Sequence, residues 1–302
     1  WFIPAPTGLT ENGWHFLAIF FAVVIGLILE PVPAALVGFT GISLVALLGL
    51  MGSPKDSITW ALSGFSNSVI WLIFAAFMFA LGYKKTGLGK RVSLVMIKYM
   101  GKSSLGLGYA VAFSDLVLSP FMPSNTARSA GTIYPVASNI PLIFDSTPEH
   151  EPRKLGAYIS WVAIATTCVT SSMFLTALAP NLLAVDLINK GTGHMISWGA
   201  WASIMLPLMI PLFLLTPWLV YVVYPPTQKT SPEAPAWAAE ELKKLGRITS
   251  KELLMAGLAV VALALWIFSK DFGIDSTTTA ISIVSIMVLA NVITWDDVIS
   301  NK

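Results

Sequence analysis

The chain has 302 residues, of which 55% are hydrophobic and 11% are charged. Because a soluble domain carries about 25% charged residues, this composition excludes a soluble globular protein and predicts a polytopic membrane protein. The net charge of +2 excludes nothing by itself. The single cysteine, Cys168, excludes an intrachain disulfide, and its apolar neighbours predict a small buried side chain.

A membrane-spanning helix needs about 20 apolar residues, and runs of this kind recur along the chain between proline and glycine breaks. One run contains Pro207, Pro211 and Pro217, so a kinked helix is predicted there. The predicted spans are 14–30, 34–52, 68–83, 156–177 with a short continuation to 188, 199–224, 253–269 and 277–294, with a hairpin at 104–140.

Lysine and arginine concentrate between residues 84 and 102 and between 225 and 252. Cytoplasmic loops carry this excess, so both segments are predicted to be cytoplasmic, with residues 53–67 on the opposite side. Residues 86–102 alternate basic and apolar positions and predict an amphipathic helix at the membrane interface. Within the second segment a short surface helix is expected, supported by the Glu240-to-Lys244 spacing.

The sequence Pro-Ser-Asn-Thr-Ala-Arg at 123–128 interrupts the apolar run of 104–140. Non-helical backbone at membrane depth is tolerated only where protein buries it or a water-filled cavity receives it. We therefore predict a re-entrant hairpin whose tip presents Ser124, Asn125 and Thr126. The hydroxyls, the amide and the N–H groups of the following helix would suit an anion such as a carboxylate.

Arg128 is the charged residue that follows this tip, and Asp115 precedes it. Three roles are open for the guanidinium. It could balance the charge of a bound carboxylate, pair with Asp115, or extend to the cytoplasmic surface.

A second polar segment lies at Thr176–Asn181, after a run rich in threonine and serine. Pro180 removes a backbone donor and disfavours helix at Ala179. Two interpretations remain open, a simple proline kink or a helix that unwinds at 177–180. In the second, freed carbonyls could coordinate a cation while the next helix start faces an anion.

Other chemistry finds no support in the sequence. The histidines His15, His150 and His194 are scattered without metal-ligand spacing, and no nucleophile–base pair falls at membrane depth. A phosphate-binding Walker loop and nucleic-acid motifs are also missing. The chain is therefore not expected to be an enzyme, to hold a cofactor or to bind nucleic acid.

Several segments together resemble the divalent-anion:sodium symporter family, and in particular its exchanger branch of 2-oxoglutarate/malate translocators and citrate or tartrate:succinate antiporters. The segments are PFMPSNTARSAGTIYPV, GFSNSVIWLIFAAFMFALGY, GLGKRVSLVMIKYMGK and SSMFLTALAPNLLA. The resemblance implies an all-α elevator-type transporter of two inverted repeats, each with a re-entrant hairpin and a Ser-Asn-Thr tip.

The resemblance also implies roles for single residues. Asn125 and Thr126 would contact the substrate carboxylate, and Ser124 and Asn125 with the backbone near Ala177 would form a sodium site. Ala179-Pro180-Asn181 matches the unwound helix of the family. The implied substrate-binding set is Ser124, Asn125, Thr126, Thr176, Pro180 and Asn181.

Two departures from the family pattern stand out. Pro120 and Ala177 replace a small polar residue and a glycine that sodium-coupled members commonly carry, which favours exchange over sodium coupling. A second Ser-Asn-Thr sequence does not occur, so the chain is expected to be an N-terminal fragment with an incomplete second repeat that does not transport alone.

The expected domains are scaffold helices and interfacial helix (1–102), the first half of the transport domain (103–224), a cytoplasmic loop (225–252) and the start of the second repeat (253–302).

The sequence thus predicts a secondary transporter that exchanges di- or tricarboxylates such as 2-oxoglutarate, malate, succinate, citrate or tartrate. A sodium-coupled dicarboxylate symporter and a non-transporting membrane scaffold are the alternatives. The expected partners are small carboxylate anions, membrane lipid and a second copy in a homodimer. A bacterial cytoplasmic membrane is favoured over a plastid envelope.

Overall fold

The structure is a computed structural model that describes residues 3–300, and within them it is helical without a named β-strand, as predicted. The helices are α1 Glu11–Leu29, α2 Ala34–Leu47, α3 Pro54–Leu62, α4 Ser68–Thr86, α5 Leu88–Met100, α6 Ser104–Leu118, α7 Tyr134–Ala137, α8 Asn139–Ile143, α9 Gly156–Met173, α10 Ala179–Thr192, α11 Trp198–Val223, α12 Glu233–Leu245, α13 Ser250–Ile267, α14 Ser269–Phe272, α15 Ser276–Leu289 and α16 Trp295–Ser300.

Five helical stretches in the described part are long and apolar enough to cross a membrane. They are Glu11–Leu29, Pro54–Thr86, Ser104–Phe121, Trp198–Val223 and Ser250–Ile267. Many large apolar side chains on these helices point outward, including Ile28, 74% exposed, and Val223, 73% exposed. Because water would penalise such a surface, it fits a lipid environment and an integral membrane protein.

The first compact unit, residues 1–70, contains α1, α2 and α3. Its small core joins Ile19, Val45 and Leu50.

The helix α3 was not predicted, because residues 53–67 were interpreted as a loop. Ser53 and Asp56 form a reciprocal capping box, and Pro54 occupies the first turn, where its missing N–H costs nothing. The sequence Ser-Pro-Lys-Asp carried this signal.

The second compact unit, residues 71–302, holds both polar segments. In it α6, α9 and α11 pack together around a core of Ala112, Met173 and Phe213. The Tyr158 hydroxyl on α9 donates to the Pro217 carbonyl of α11 at 3.1 Å. These contacts pack α9 against both α6 and α11.

Cys168 does not lie in this core. It is exposed on α9, on the same outward face as Trp161 and Ile164, which precede it by two turns and one turn. The prediction of a buried cysteine was therefore wrong. An apolar neighbourhood in a membrane helix marks the surface as readily as the core.

The loop after α11 joins the two ends of the hairpin segment. The Ser104 N–H donates to the Lys229 carbonyl at 3.1 Å, and the Thr227 N–H donates to the Arg153 carbonyl at 3.2 Å. The Ser231 hydroxyl adds a bond to the Gly101 carbonyl at 2.7 Å. The start of α6 and the chain before α9 therefore contact one and the same loop.

The helices predicted in the two basic segments, 84–102 and 225–252, are present as α5 and α12, and they pack on each other. The Glu240-to-Lys244 spacing lies on the predicted helix, α12, but the close ion pair of Lys244 is formed with another glutamate. Lys244 instead lies 2.7 Å from Glu241, three positions before it, and Glu241 also contacts Lys90 of α5 at 3.4 Å. Glu241 faces α5, whereas Glu240 is exposed.

Candidate functional site

The hairpin tip is built where α6 stops. A short 3₁₀ turn at Ser119–Phe121 follows α6, Met122 is extended, and helix resumes after Ser124. Pro120 and Pro123 explain the interruption, because proline cannot supply the backbone donor that a continuing helix needs. The Ser124 hydroxyl accepts a hydrogen bond from the Ala127 N–H at 3.3 Å and so caps the new helix.

The helix that leaves the tip is unusual, because Thr126–Ile133 is a π-helix of 8 residues. The Thr132 hydroxyl donates to the Ala127 carbonyl at 2.9 Å, five positions back, which fits the wider turn. Such helices are rare and often mark functional sites. No feature of the sequence predicted it.

The second polar segment is a broken helix, which decides between the two interpretations of Pro180. α9 ends at Met173, Phe174 and Leu178 are extended, and a single 3₁₀ turn lies between them. The unwound part is thus 174–178 and not 177–180 as predicted. Pro180 belongs to the first turn of α10, where a missing N–H is tolerated.

The tip and the break contact each other directly. The Ala179 N–H donates to the Pro123 carbonyl at 3.0 Å. The Thr176 hydroxyl donates to the Pro120 carbonyl at 2.5 Å and accepts from Trp198 Nε1 at 3.1 Å. The structure therefore brings the two predicted polar segments together.

Arg128 pairs with Asp115, which decides among its three predicted roles. Its side chain is fully buried, so the extension to the cytoplasmic surface was wrong. Nε lies 3.1 Å from Asp115 Oδ2. The terminal nitrogens donate to the carbonyl oxygens of Met122 and Ala177 and to the side-chain oxygens of Asn125, Thr167 and Thr170. Since a guanidinium has five N–H donors, none remains for direct contact with a substrate carboxylate.

These contacts decide whether the residues implied for sodium fit that ion. The Ala177 carbonyl accepts from Arg128 Nη1 at 3.0 Å, and Asn125 Oδ1 accepts from Nη2 at 3.0 Å. A sodium ion on the same oxygens would lie beside a buried guanidinium, and the two cations would repel each other strongly in this low-dielectric site. The donor set of this chain therefore does not fit sodium.

An open pocket of about 450 Å³ lies beside the tip and is called the tip pocket here. Thr126 is exposed there, and the N–H groups of Asn125 and Thr126 have no hydrogen-bond partner among residues 3–300. Free N–H groups at a helix start are donors for an anion. The tip pocket is lined by Asn125, Thr126, Ser129, Ala130, Tyr134, Ser160, Ala163, Ile164 and Thr167.

Four predicted substrate contacts do not line the tip pocket. Ser124 caps the helix behind it, and Thr176 is fully buried. Asn181 donates to the Ser171 and Phe174 carbonyls at 2.8 and 3.3 Å, so its amide satisfies acceptors freed by the break. Pro180 is exposed outside the lining. Of the predicted set, the structure places Asn125 and Thr126 in the pocket.

Sequence reasoning missed the wall of the pocket on α9. Ser160, Ala163, Ile164 and Thr167 follow the i, i+3, i+4, i+7 spacing of one helix face. The Ser160 hydroxyl lies 2.9 Å from the Tyr134 hydroxyl, which joins α9 to the outgoing arm. The small and hydroxyl residues at this spacing were the sequence feature that could have predicted this wall.

Within residues 3–300, no group of three or more His, Cys, Asp or Glu side chains could hold a metal ion.

Comparison with known proteins gives one family and a set of relatives. Residues 1–302 match the family model described as the sodium:sulfate symporter transmembrane region. The chain is 50% identical over 314 aligned positions to proteins named L-tartrate/succinate antiporter from Escherichia coli (strain K12) and Shigella sonnei (strain Ss046). The match covers 99% of this chain, which spans about 64% of the length of these relatives.

Proposed function

We propose that the full-length protein of this chain, which belongs to the sodium:sulfate symporter transmembrane region family, is a secondary transporter that exchanges small di- or tricarboxylates. The related proteins are named for exchange of L-tartrate and succinate, and this class of substrate is the first to test. The family match agrees with the resemblance to the divalent-anion:sodium symporter family that the sequence motifs showed, and it supports the same class of protein.

The position of the Arg128 side chain is the observation that best supports exchange over sodium coupling. Its guanidinium occupies the oxygens of Asn125 and Ala177 that the resemblance assigns to a coupling cation. A covalently fixed cation supplies positive charge permanently, whereas a bound sodium ion supplies it only when loaded. We infer that the binding of a carboxylate needs no sodium.

The guanidinium also acts on the tip pocket from one layer behind its wall. Nη2 donates to Asn125 and Thr167, which both line the pocket, while Nε donates to Asp115. The guanidinium therefore extends a positive field through these two lining residues, and Asp115 offsets part of it. Together with the N–H groups of Asn125 and Thr126, this field favours an anion without a trapping ion pair. Charge balance by Arg128 is thus indirect.

The test uses proteoliposomes that contain the full-length protein. Uptake of labelled succinate should require tartrate or succinate inside the vesicles and should continue when potassium replaces sodium on both sides. Uptake that requires sodium and ignores the internal anion would support the alternative of a sodium-coupled dicarboxylate symporter, which the family description makes the main rival. No uptake, with either a sodium gradient or an internal anion, would favour the alternative of a non-transporting membrane scaffold.

The remaining expectations complete this proposal. The domain division at 103, 225 and 253, the inverted repeats and the elevator movement of a homodimer would place the hairpin in the moving part. Contact of both hairpin ends with the loop at 227–231 supports a re-entrant arrangement. A bacterial cytoplasmic membrane is the proposed location, in line with the relatives from Escherichia coli and Shigella.

A further inference from the structure

A second cavity, of about 470 Å³, lies on the face of the outgoing hairpin arm away from the tip pocket, and it is called the basic cavity here. Three elements form its wall, which are the end of α4 with the start of α5, the hairpin arm, and α12. Its polar lining includes Tyr83, Lys84, Lys90, Asn139, Trp237 and Glu241. It shares no lining residue with the tip pocket.

The basic cavity is rich in unused donors. Tyr83 lines the cavity, and its hydroxyl has no hydrogen-bond partner in the described part of the chain. Lys84 forms no ion pair with any described residue, and Trp237 Nε1 likewise donates to none of them. Three donors that line one cavity and bond to no described residue are available to a ligand with several acceptors.

The carboxylate in the cavity is already neutralised. Glu241 is bonded by Lys244 at 2.7 Å and by Lys90 at 3.4 Å. The hydrogen bond from Lys244 is the main cause of a lowered pKa of the Glu241 carboxyl, and Lys90 adds a smaller effect in the same direction, so this carboxyl is ionised at neutral pH. The charged lining residues are two lysines, Lys84 and Lys90, and one glutamate, Glu241, so the lining carries an excess of positive charge.

An apolar cleft continues from the basic cavity along α4. The two share Lys84, Gly131 and Thr132, and the cleft adds Phe77, Ala80, Leu81 and Met122. Phe77 precedes Lys84 by seven residues, which corresponds to about 10 Å along a helix. Because lysines at the end of a spanning helix lie at head-group level, Phe77 lies at the depth of acyl chains.

We propose that the basic cavity and its cleft bind one anionic phospholipid. The phosphate accepts hydrogen bonds from Lys84, Lys90, Tyr83 and Trp237, and an acyl chain follows Leu81 and Phe77. Basic pockets between helices at the cytoplasmic side are suited to anionic head groups. A free carboxylate or phosphate would use the cationic end alone and leave the apolar cleft without an occupant. This inference concerns the membrane and is independent of the transported anion.

The experiment counts lipid bound to the purified protein in detergent by native mass spectrometry during titration with phosphatidylglycerol or phosphatidylcholine. Lys84→Gln with Lys90→Gln should weaken phosphatidylglycerol binding roughly 10- to 30-fold, at about 1 kcal/mol per lysine. The matched control, Lys98→Gln with Lys102→Gln, removes the same charge from the same basic segment outside the cavity and should leave binding unchanged.

Glu241→Gln provides a change in the opposite direction, because removal of the negative charge should tighten phosphatidylglycerol binding severalfold, a result that damage to the fold cannot produce. Equal loss in the two double variants would overturn the proposal, since it would show only general attraction to basic surface. Displacement of the lipid by glycerol phosphate at equal concentration would also overturn it, because the cavity would then take the phosphate group without the acyl chain.

Discussion

At the scale of single residues, the Asp115–Arg128 pair is the centre of the site. The guanidinium joins the tip, at Asn125, to the unwound segment, at Ala177, and Asp115 holds it from α6. The sequence showed both charges and left three roles open. It could not select among them, because the choice depends on which elements pack around residue 128. The carbonyl groups that accept from Arg128 carry no signal in a sequence.

Arg128→Gln should destabilise the protein by about 3–5 kcal/mol, because it leaves the buried Asp115 carboxylate without its partner. Thermal unfolding of the purified protein measures this effect. The double variant Asp115→Asn, Arg128→Gln removes the uncompensated charge and should recover part of the loss. An unfolding temperature unchanged by Arg128→Gln would show that the pair does not hold the tip and the break together.

Thr126→Val should weaken carboxylate binding about fivefold while the fold is kept, because it removes an exposed hydroxyl of the tip pocket, worth about 1 kcal/mol, at nearly constant shape. Thermal stabilisation by succinate measures the binding. Thr192→Val at the end of α10 is the control outside the tip pocket, since that hydroxyl bonds only locally, to the Ile188 carbonyl at 2.7 Å and from the His194 N–H at 3.2 Å. Equal effects of the two substitutions would remove Thr126 from the site.

At the scale of elements, the sequence predicted where the helices are interrupted, at the hairpin tip and between α9 and α10, better than it predicted the backbone conformation there. Prolines and polar residues located the tip and the break, because both act locally on backbone hydrogen bonding. The π-helix at Thr126–Ile133 and the shift of the break to 174–178 were not predicted. Both depend on contacts between distant segments, such as Ala179 with Pro123.

Close packing of α5 on the π-helix gives a prediction at this scale. A Cβ atom at Gly89 would lie 2.4 Å from Thr132 Cγ2, so Gly89→Ala should destabilise the protein by about 1–3 kcal/mol. Adding Thr132→Ser removes that methyl group, keeps the hydroxyl and should restore stability in thermal unfolding. Gly191→Ala on α10, with open space around its Cβ, is the control and should be tolerated. Failure of Thr132→Ser to rescue would contradict the packing argument.

At the scale of the whole molecule, composition and hydropathy predicted the class of protein, since an apolar chain has few alternatives to helices that cross a membrane. The orientation rests on the basic segments at 84–102 and 225–252. The contacts of both hairpin ends with the loop at 227–231 bring these segments to one side of the second unit. Ser104, the first residue of α6, is buried, so a cysteine label that reports on this end of the hairpin belongs at an exposed neighbour such as Lys102.

Single cysteines at Lys102 and Glu149 should therefore react with an impermeant thiol reagent only from the cytoplasmic face, and a cysteine at Lys190 only from the opposite face. Both hairpin positions are exposed in the structure. Because Cys168 is exposed, the experiment needs a Cys168→Ala background. Labelling of residues 102 and 149 from opposite faces would exclude a re-entrant hairpin.

The most direct measurement of a built-in cation at the tip is calorimetric titration of the full-length protein with succinate or L-tartrate, in sodium chloride and in potassium chloride of equal ionic strength. If the Arg128 guanidinium takes the place of a coupling ion, the two salts should give the same Kd. A Kd that is tenfold or more lower in sodium, equivalent to about 1.4 kcal/mol, would show that sodium binds with the substrate and would contradict the role assigned to Arg128.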